Sequence, residues 1–246
     1  MRKIIILCTF FLPLFFCTAC HKQVQVLSVT TEAIPVDSSA DELQDLAYLE
    51  QLAPCKAAVE QEMNVELGYA PEDMWVAAPE CPMLNWATDV LLAAAKQVYP
   101  GQVDVAIANM GGMRRSWSAG PITKGMVFEL MPFDNQLVVL TLTGTDIIAL
   151  CESFARYGAQ GVAGMRVKIV DNKLADVQIG GKPVNPNKTY TVATSDYLSG
   201  GADHMDALKN YSEMWKSDLL IRDIYLQAVT DQHLVGADVD GRMTVL

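Results

Sequence analysis

Val103-Asp-Val-Ala-Ile-Ala-Asn109-Met-Gly-Gly-Met-Arg114-Arg115 is the stretch on which the fold turns. A short β-rich run, Val103–Ala108, enters a turn of two adjacent glycines and leaves it through two arginines. Adjacent glycines permit left-handed or otherwise strained backbone and remove side chains that would keep a ligand away, while Asn109 and Arg114 supply directed donors at the rims. The same residues also suit a tight turn with exposed arginines, and spacing alone leaves both readings open.

Outward from this turn, strand and helix signals interleave. Pro82–Lys96 reads as a helix with proline in its first turn, and Asp41–Glu50 as another, with Leu43, Leu46, Ala47 and Leu49 near helical spacing behind a capping Asp. Gln136–Thr143 reads as a strand, and Gly144-Thr-Asp146 begins the helix Ile147–Tyr157. Arg166–Val170 and Leu174–Ile179 flank Asp171-Asn-Lys173, a hairpin signal; Thr189–Thr194 is a further strand, and Ser217–Val229 is expected to close the chain as a helix. Without strict βαβ repetition, this order predicts an α/β (α+β) class with a single mixed-sheet domain over 41–246. A length of about two hundred residues buries its apolar side chains in one domain.

The N-terminal stretch reads differently. Met1-Arg-Lys3 and the apolar run Ile4–Phe16, broken by Pro13, form a charged and then a hydrophobic region too short for a membrane span. The run ends in Cys17-Thr-Ala-Cys20, where small residues precede a cysteine as in a bacterial lipobox, although Cys17 stands where Leu is usual. An ordinary cleaved secretory signal also fits. Residues 1–19 are therefore expected to be a signal peptide, Cys20 a lipid anchor, and 20–40, rich in polar and turn-forming residues, a tether. Such a protein resides in the bacterial cell envelope, membrane-anchored and periplasmic or surface-facing.

Cleavage before Cys20 removes Arg2 and Lys3 and takes the formal net charge from −11 to −13. That charge repels nucleic-acid polymers, so an anionic ligand must be met by a few local donors. Cys55, Cys81 and Cys151 show no Cys-x-x-Cys spacing and read as buried thiols with at most one bridge.

A metal-dependent hydrolase needs clustered His, Asp and Asn ligands. The chain has His21, His204 and His233, scattered, with no Asp-x-His or His-x-His spacing. Serine-hydrolase, Walker and dinucleotide fingerprints are missing as well. No metal or cofactor is expected in this chain, and no catalytic residue. Two further constellations look like binding groups. Met131-Pro-Phe-Asp-Asn135 holds an aromatic beside a proline at the entry to a strand, a position that suits core as well as platform. Thr194-Ser-Asp-Tyr-Leu-Ser-Gly-Gly-Ala-Asp203-His204 runs a strand into a Gly-Gly turn with Tyr197 before it and Asp203 after it. Asp203 could cap the following turn, or it could accept hydrogen bonds from ribose hydroxyls beside an aromatic face.

Taken in order, Asn109–Arg114, Pro132–Asn135, Leu142-Thr-Gly144 and Tyr197–Asp203 resemble the motifs of the C-terminal domain of 5′-nucleotidases and related UDP-sugar hydrolases: Asn-Gly-Gly-Gly-Ile-Arg, Pro-Phe-Gly-Asn, Leu-Thr-Gly and Phe-x-x-x-Gly-Gly-Asp. The resemblance runs from about Glu80 onward, where Glu80-Cys-Pro-Met-Leu-Asn85 is similar to a family helix start. It implies a base clamped by Phe133 and Tyr197, ribose held by Asp203, sugar, base or phosphate contacts from Asn109 and Arg114, and a base contact from Asn135. Met110 and Met113 replace smaller loop residues, Ala202 stands for a Gly, His204 follows instead of Gly, and Pro79 stands where members carry an arginine. The anion contacts are thus reduced to Arg114, with Arg115 beside it. Members also carry an N-terminal metallophosphatase domain, which nothing before Asp41 could encode. The resemblance therefore implies the recognition half of a split 5′-nucleotidase in nucleotide catabolism, inactive alone, with divalent metals on a partner phosphatase chain. A nucleoside-binding envelope lipoprotein without a catalytic partner, and a structural envelope protein that has lost the pocket, are the alternatives.

Overall fold

The computed structural model describes residues 28–34, 37–38 and 45–246. The expected signal peptide, Cys20 and most of the tether lie outside those residues. The chain divides into two compact units, Met1–Leu49 and Glu50–Leu246. In the first, residues 28–34 are exposed and carry no regular secondary structure.

The elements are α1 (Leu46–Met63), β1 (Glu66–Ala70), α2 (Pro82–Val98), β2 (Val105–Ala108), β3 (Gly120–Thr123), α3 (Lys124–Leu130), β4 (Gln136–Thr143), α4 (Gly144–Tyr157), β5 (Gly161–Ala163), β6 (Met165–Val170), β7 (Lys173–Ile179), β8 (Lys182–Pro183), β9 (Thr189–Ser195), α5 (Asp196–Ser199), β10 (Glu213–Leu220), α6 (Ile221–Gln232) and β11 (Met243–Val245). A five-stranded sheet in the order β10-β4-β9-β2-β5 forms the centre, and smaller sheets pair β1 with β3 and order β11-β6-β7-β8. β2 runs parallel to β9 and antiparallel to β5, so the sheet is mixed, as the interleaved signals predict.

Period-two alternation sorts the central strands between two cores. Ala106, Leu137, Val139 and Ala193 face a cluster with Leu84, Leu91 and Val90 of α2 and Ile224 and Tyr225 of α6. Val105, Ile107, Val138, Leu140 and Val192 face the other way, onto Ile147, Leu150 and Phe154 of α4 and onto Val167 and Ile169 of β6. The sheet is therefore covered on both faces, and its strand ends are what remain open to a ligand.

Local chemistry sets the element ends. Pro82 stands in the first turn of α2. At α4 the Thr143 hydroxyl accepts from the Asp146 N–H while the Asp146 carboxylate takes the Thr143 N–H, a reciprocal cap. Gly144 is required there because a Cβ would sit 2.0 Å from the Asn185 carbonyl oxygen. The β6–β7 hairpin turns through Asp171 and Asn172, at φ 51° and 57°, the left-handed pair that a tight hairpin needs.

Three expectations are corrected. Residues 217–220 are strand, with the helix starting at Ile221: Trp215, Lys216 and Leu220 pair with Val139, Val138 and Gln136, and the buried Ser217 hydroxyl donates to the Leu137 carbonyl at 3.0 Å, so sheet pairing overrides the local helical pattern. The first helix extends to Met63, past Pro54, well beyond Glu50. Cys55 on that helix is exposed, while Cys81 and Cys151 are buried, and the three thiols are free. Among the described residues no helix is long and apolar enough to cross a membrane.

Candidate functional site

Three loops meet at the ends of β2, β4 and β9. Asn109 leaves β2, and residues Met110–Gly112 form a single 3-10 turn closed by the Gly112 N–H to Asn109 carbonyl bond, 3.1 Å. Neither glycine is left-handed, which corrects the strained-backbone reading of this turn. Gly112 serves close approach instead: a Cβ there would lie 2.6 Å from Asn109 Oδ1, whereas one on Gly111 would stand at an ordinary 3.8 Å from Asn109 Nδ2 and Asp203 Oδ2. The Gln160 side chain takes the Met110 N–H at 2.8 Å and pins the turn from β5's side, a contact with no sequence signal. The Met113 side chain enters the core.

Arg114 donates its backbone N–H to Leu130 O, and its Nη1 reaches back to Gly111 O at 3.1 Å. Arg115 is ion-paired with Glu129, which leaves Arg114 as the nearer cation for a ligand. Phe133 follows the C-terminus of α3 and is 40% exposed, so it belongs to neither core. The Asn135 carbonyl accepts the Ile221 N–H at 2.9 Å. Across the gap, Tyr197 rides on the short helix α5, whose start is capped by the Ser195 hydroxyl, and its ring is 49% exposed.

Asp203 closes the site. It and His204 are both left-handed, at φ 54° and 62°. The following 3-10 turn, Asp206–Asn210, begins at Met205 with no side-chain cap, so Asp203 is not a helix cap. Its carboxylate points inward: Oδ2 accepts Asn109 Nδ2 at 2.5 Å and Oδ1 accepts the Tyr197 hydroxyl at 3.2 Å. The Asp203 charge, then slight burial and that hydrogen bond, push the Tyr197 phenol above its ordinary pKa. His204 stacks on Tyr157, ring centroids 4.1 Å apart and 16° from parallel, holding the strained pair against α4. Sequence reasoning missed this stack, for which the only signal was a bulky residue at a glycine position.

Asn109, Gly111, Gly112, Arg114, Phe133, Asn135, Tyr197 and Asp203 line one cavity of about 290 Å³. All six residues singled out in the sequence as ligand contacts are thus brought together, from positions up to 94 apart in the chain. A larger cavity, about 430 Å³, lies between α2 and α6, but its lining carries no aromatic ring and no cation. No three His, Cys, Asp or Glu side chains converge as a metal site among the described residues.

The family model for the 5′-nucleotidase C-terminal domain matches residues 66–210, more than half of the chain. The chain belongs to this family. Protein UshA of Escherichia coli K12 is 33% identical over 125 residues, covering 49% of this chain and 22% of that protein. The trifunctional nucleotide phosphoesterase YfkN of Bacillus subtilis 168 is 29% identical over 201 residues, 73% of this chain and 14% of that one. The 5′-nucleotidase precursor of Thermus thermophilus superposes with a TM-score of 0.73 at 25% identity, over 82% of this chain and 44% of its own. The chain therefore spans less than half the length of each of these relatives.

Proposed function

We propose that this chain recognises the nucleoside part of a nucleotide for a 5′-nucleotidase-type phosphohydrolase in nucleotide catabolism, with metal-dependent cleavage carried out by a separate metallophosphatase chain that holds the divalent metals. One observation carries the reading: two half-exposed rings, Phe133 and Tyr197, stand over a cavity whose polar lining is Asn109, Arg114, Asn135 and Asp203. A purine or pyrimidine stacks between the rings, the Asp203 carboxylate accepts from ribose hydroxyls with Asn109 beside it, Asn135 meets the base edge, and Arg114 faces the phosphate side. In the proposal the chain is exported and anchored at the cell envelope through lipid on Cys20.

The pairing of Arg115 with Glu129 favours a second reading, a non-catalytic nucleoside-binding lipoprotein, because it leaves Arg114 opposed by Asp203 and little net positive charge for a phosphate dianion. Calorimetric titration of the purified chain with the four common nucleosides and their 5′-monophosphates tests both. Binding is expected, and no release of phosphate from AMP by the chain alone with added Mg²⁺, Mn²⁺ or Zn²⁺. Release that appears on adding a metallophosphatase lacking its own C-terminal domain supports the first reading. Absence of binding to any of these compounds sinks both, and metal-dependent release by the chain alone that survives repurification sinks the separate-chain arrangement.

The anchor is tested by Cys20→Ser. Detergent partitioning is expected to move the protein into the aqueous phase, and unchanged recovery in the detergent phase rules lipid on Cys20 out.

A further inference from the structure

Phe133 belongs to neither core, yet a stacking platform must be directed. Beneath it lies Arg222, in the first turn of α6, with 12% of its side chain exposed; its partner Asp134, at 2.6 Å from Nη2, is 75% exposed. The same guanidinium offers Nη1 to the Phe133 carbonyl at 3.4 Å and lies over the Phe128 ring of α3, 4.6 Å from its centroid. Its Nε is buried and unpartnered. The helix start grips the next residue too, through the Ile221 N–H to the Asn135 carbonyl.

A buried guanidinium is costly unless its charge is met, and here the carboxylate that meets it comes from the segment carrying Phe133. Exposed ion pairs hold little, but this one has a buried, aromatic-stacked partner and a planar fork that takes a carbonyl and a carboxylate from adjacent residues at once. Such two-point attachment sets the direction of the backbone at 133–134 and with it the Cα–Cβ vector of Phe133.

We propose that Arg222 and Asp134 form a positioning pair that presets Phe133 for stacking; this role rests on the nucleoside-binding reading above. The test compares the full chain with Asp134→Asn, Asp134→Ala, Arg222→Lys and the Arg222→Lys/Asp134→Ala double variant. Hydrogen exchange over residues 131–137 is followed by mass spectrometry, and affinity is measured for whichever of adenosine, guanosine, cytidine and uridine the parent binds most tightly. Removing the Asp134 carboxylate leaves the buried Arg222 guanidinium without its charge partner, so Asp134→Ala is expected to lower the melting temperature, with exchange and binding measured well below that transition. It is expected to speed exchange in 131–137 and to raise the dissociation constant about fivefold or more, with Asp134→Asn intermediate. The double variant is expected to bind no worse than the weaker single, because the two act as one unit. Unchanged exchange in Asp134→Ala overturns the proposal, as does faster exchange with unchanged affinity, or losses that multiply in the double variant. Failure of the parent to bind any of the four nucleosides overturns the nucleoside reading instead, and the exchange comparison then still decides whether the pair holds Phe133.

Discussion

Tyr197→Ala is expected to weaken nucleoside binding about ten- to a hundredfold while leaving the melting temperature close to that of the parent. Stacking of a base on one aromatic ring contributes about 1–3 kcal/mol, and about 1.4 kcal/mol is a factor of ten in affinity. The ring is 49% exposed and lies on a four-residue helix outside both cores, so its removal opens no cavity and falls among surface substitutions that change stability by about 0.5 kcal/mol or less. Phe133→Ala should behave alike, because a ring 40% exposed cannot carry the roughly 3–5 kcal/mol that truncating a fully buried phenylalanine costs. Tyr197→Phe separates the ring from its hydroxyl: it keeps the platform, gives up the bond to Asp203 and should lose about tenfold at most. Since the neighbouring Asp203 raises the Tyr197 pKa, the phenol stays protonated as pH rises past the range where a free tyrosine begins to ionise, and this group adds no pH dependence to binding between about pH 6 and 9. Calorimetry with thermal melting on the same samples reads both quantities. Unchanged affinity in Tyr197→Ala would remove the clamp from consideration.

How far the sequence leads depends on whether a signal is local. The turn at Asp171–Asn172, the start of α4 at Gly144 and the proline start of α2 are each written within a few residues, and the structure places them as read. Strand β10 is not: Ser217-Asp-Leu-Leu220 is extended because its partner β4 lies beside it, and no neighbour in sequence records that. The candidate site shows the same division. Its six residues were legible as motifs in chain order, and the β2–β9 parallel pairing explains why motifs so far apart meet at one edge. What holds those residues was illegible. Gln160 under the glycine turn, Tyr157 against His204 and Arg222 under Phe133 all act from other elements, through contacts that exist only once the sheet has formed. The glycine turn itself was half read, since spacing cannot tell a left-handed glycine from one that makes room for a neighbouring side chain.

Glu80→Ala is expected to cost about 3–5 kcal/mol of folding stability, because three donors lose their acceptor at once. Glu80 precedes α2 and is 7% exposed. Its Oε1 accepts Asn85 Nδ2 at 2.7 Å and the Asp240 N–H at 2.9 Å, and its Oε2 accepts the Met243 N–H at 3.4 Å. Asn85, 2% exposed, spends a second amide proton on the Asp238 carbonyl at 2.8 Å, so the Glu80-to-Asn85 motif stitches the first turn of α2 to the 238–243 segment that leads into β11. Removing the carboxylate strands one side-chain donor and two backbone donors, each unsatisfied group costing about 1–3 kcal/mol, less whatever water recovers at the partly exposed edge. The neighbouring clasp, in which Arg242 meets Asp89 of α2 through Nη1 at 2.7 Å and Nη2 at 3.1 Å, remains and keeps the segment near its place, which bounds the loss below full detachment. Glu80→Gln keeps the volume and one acceptor but turns an amide towards groups that are already donors, so about half of the loss is expected. Urea denaturation followed by fluorescence of the buried Trp86 and Trp117 reads the midpoint and slope together. A Glu80→Ala midpoint that implies less than about 1 kcal/mol of loss at unchanged slope would show that water replaces the carboxylate, and the clasp would then rest on Arg242.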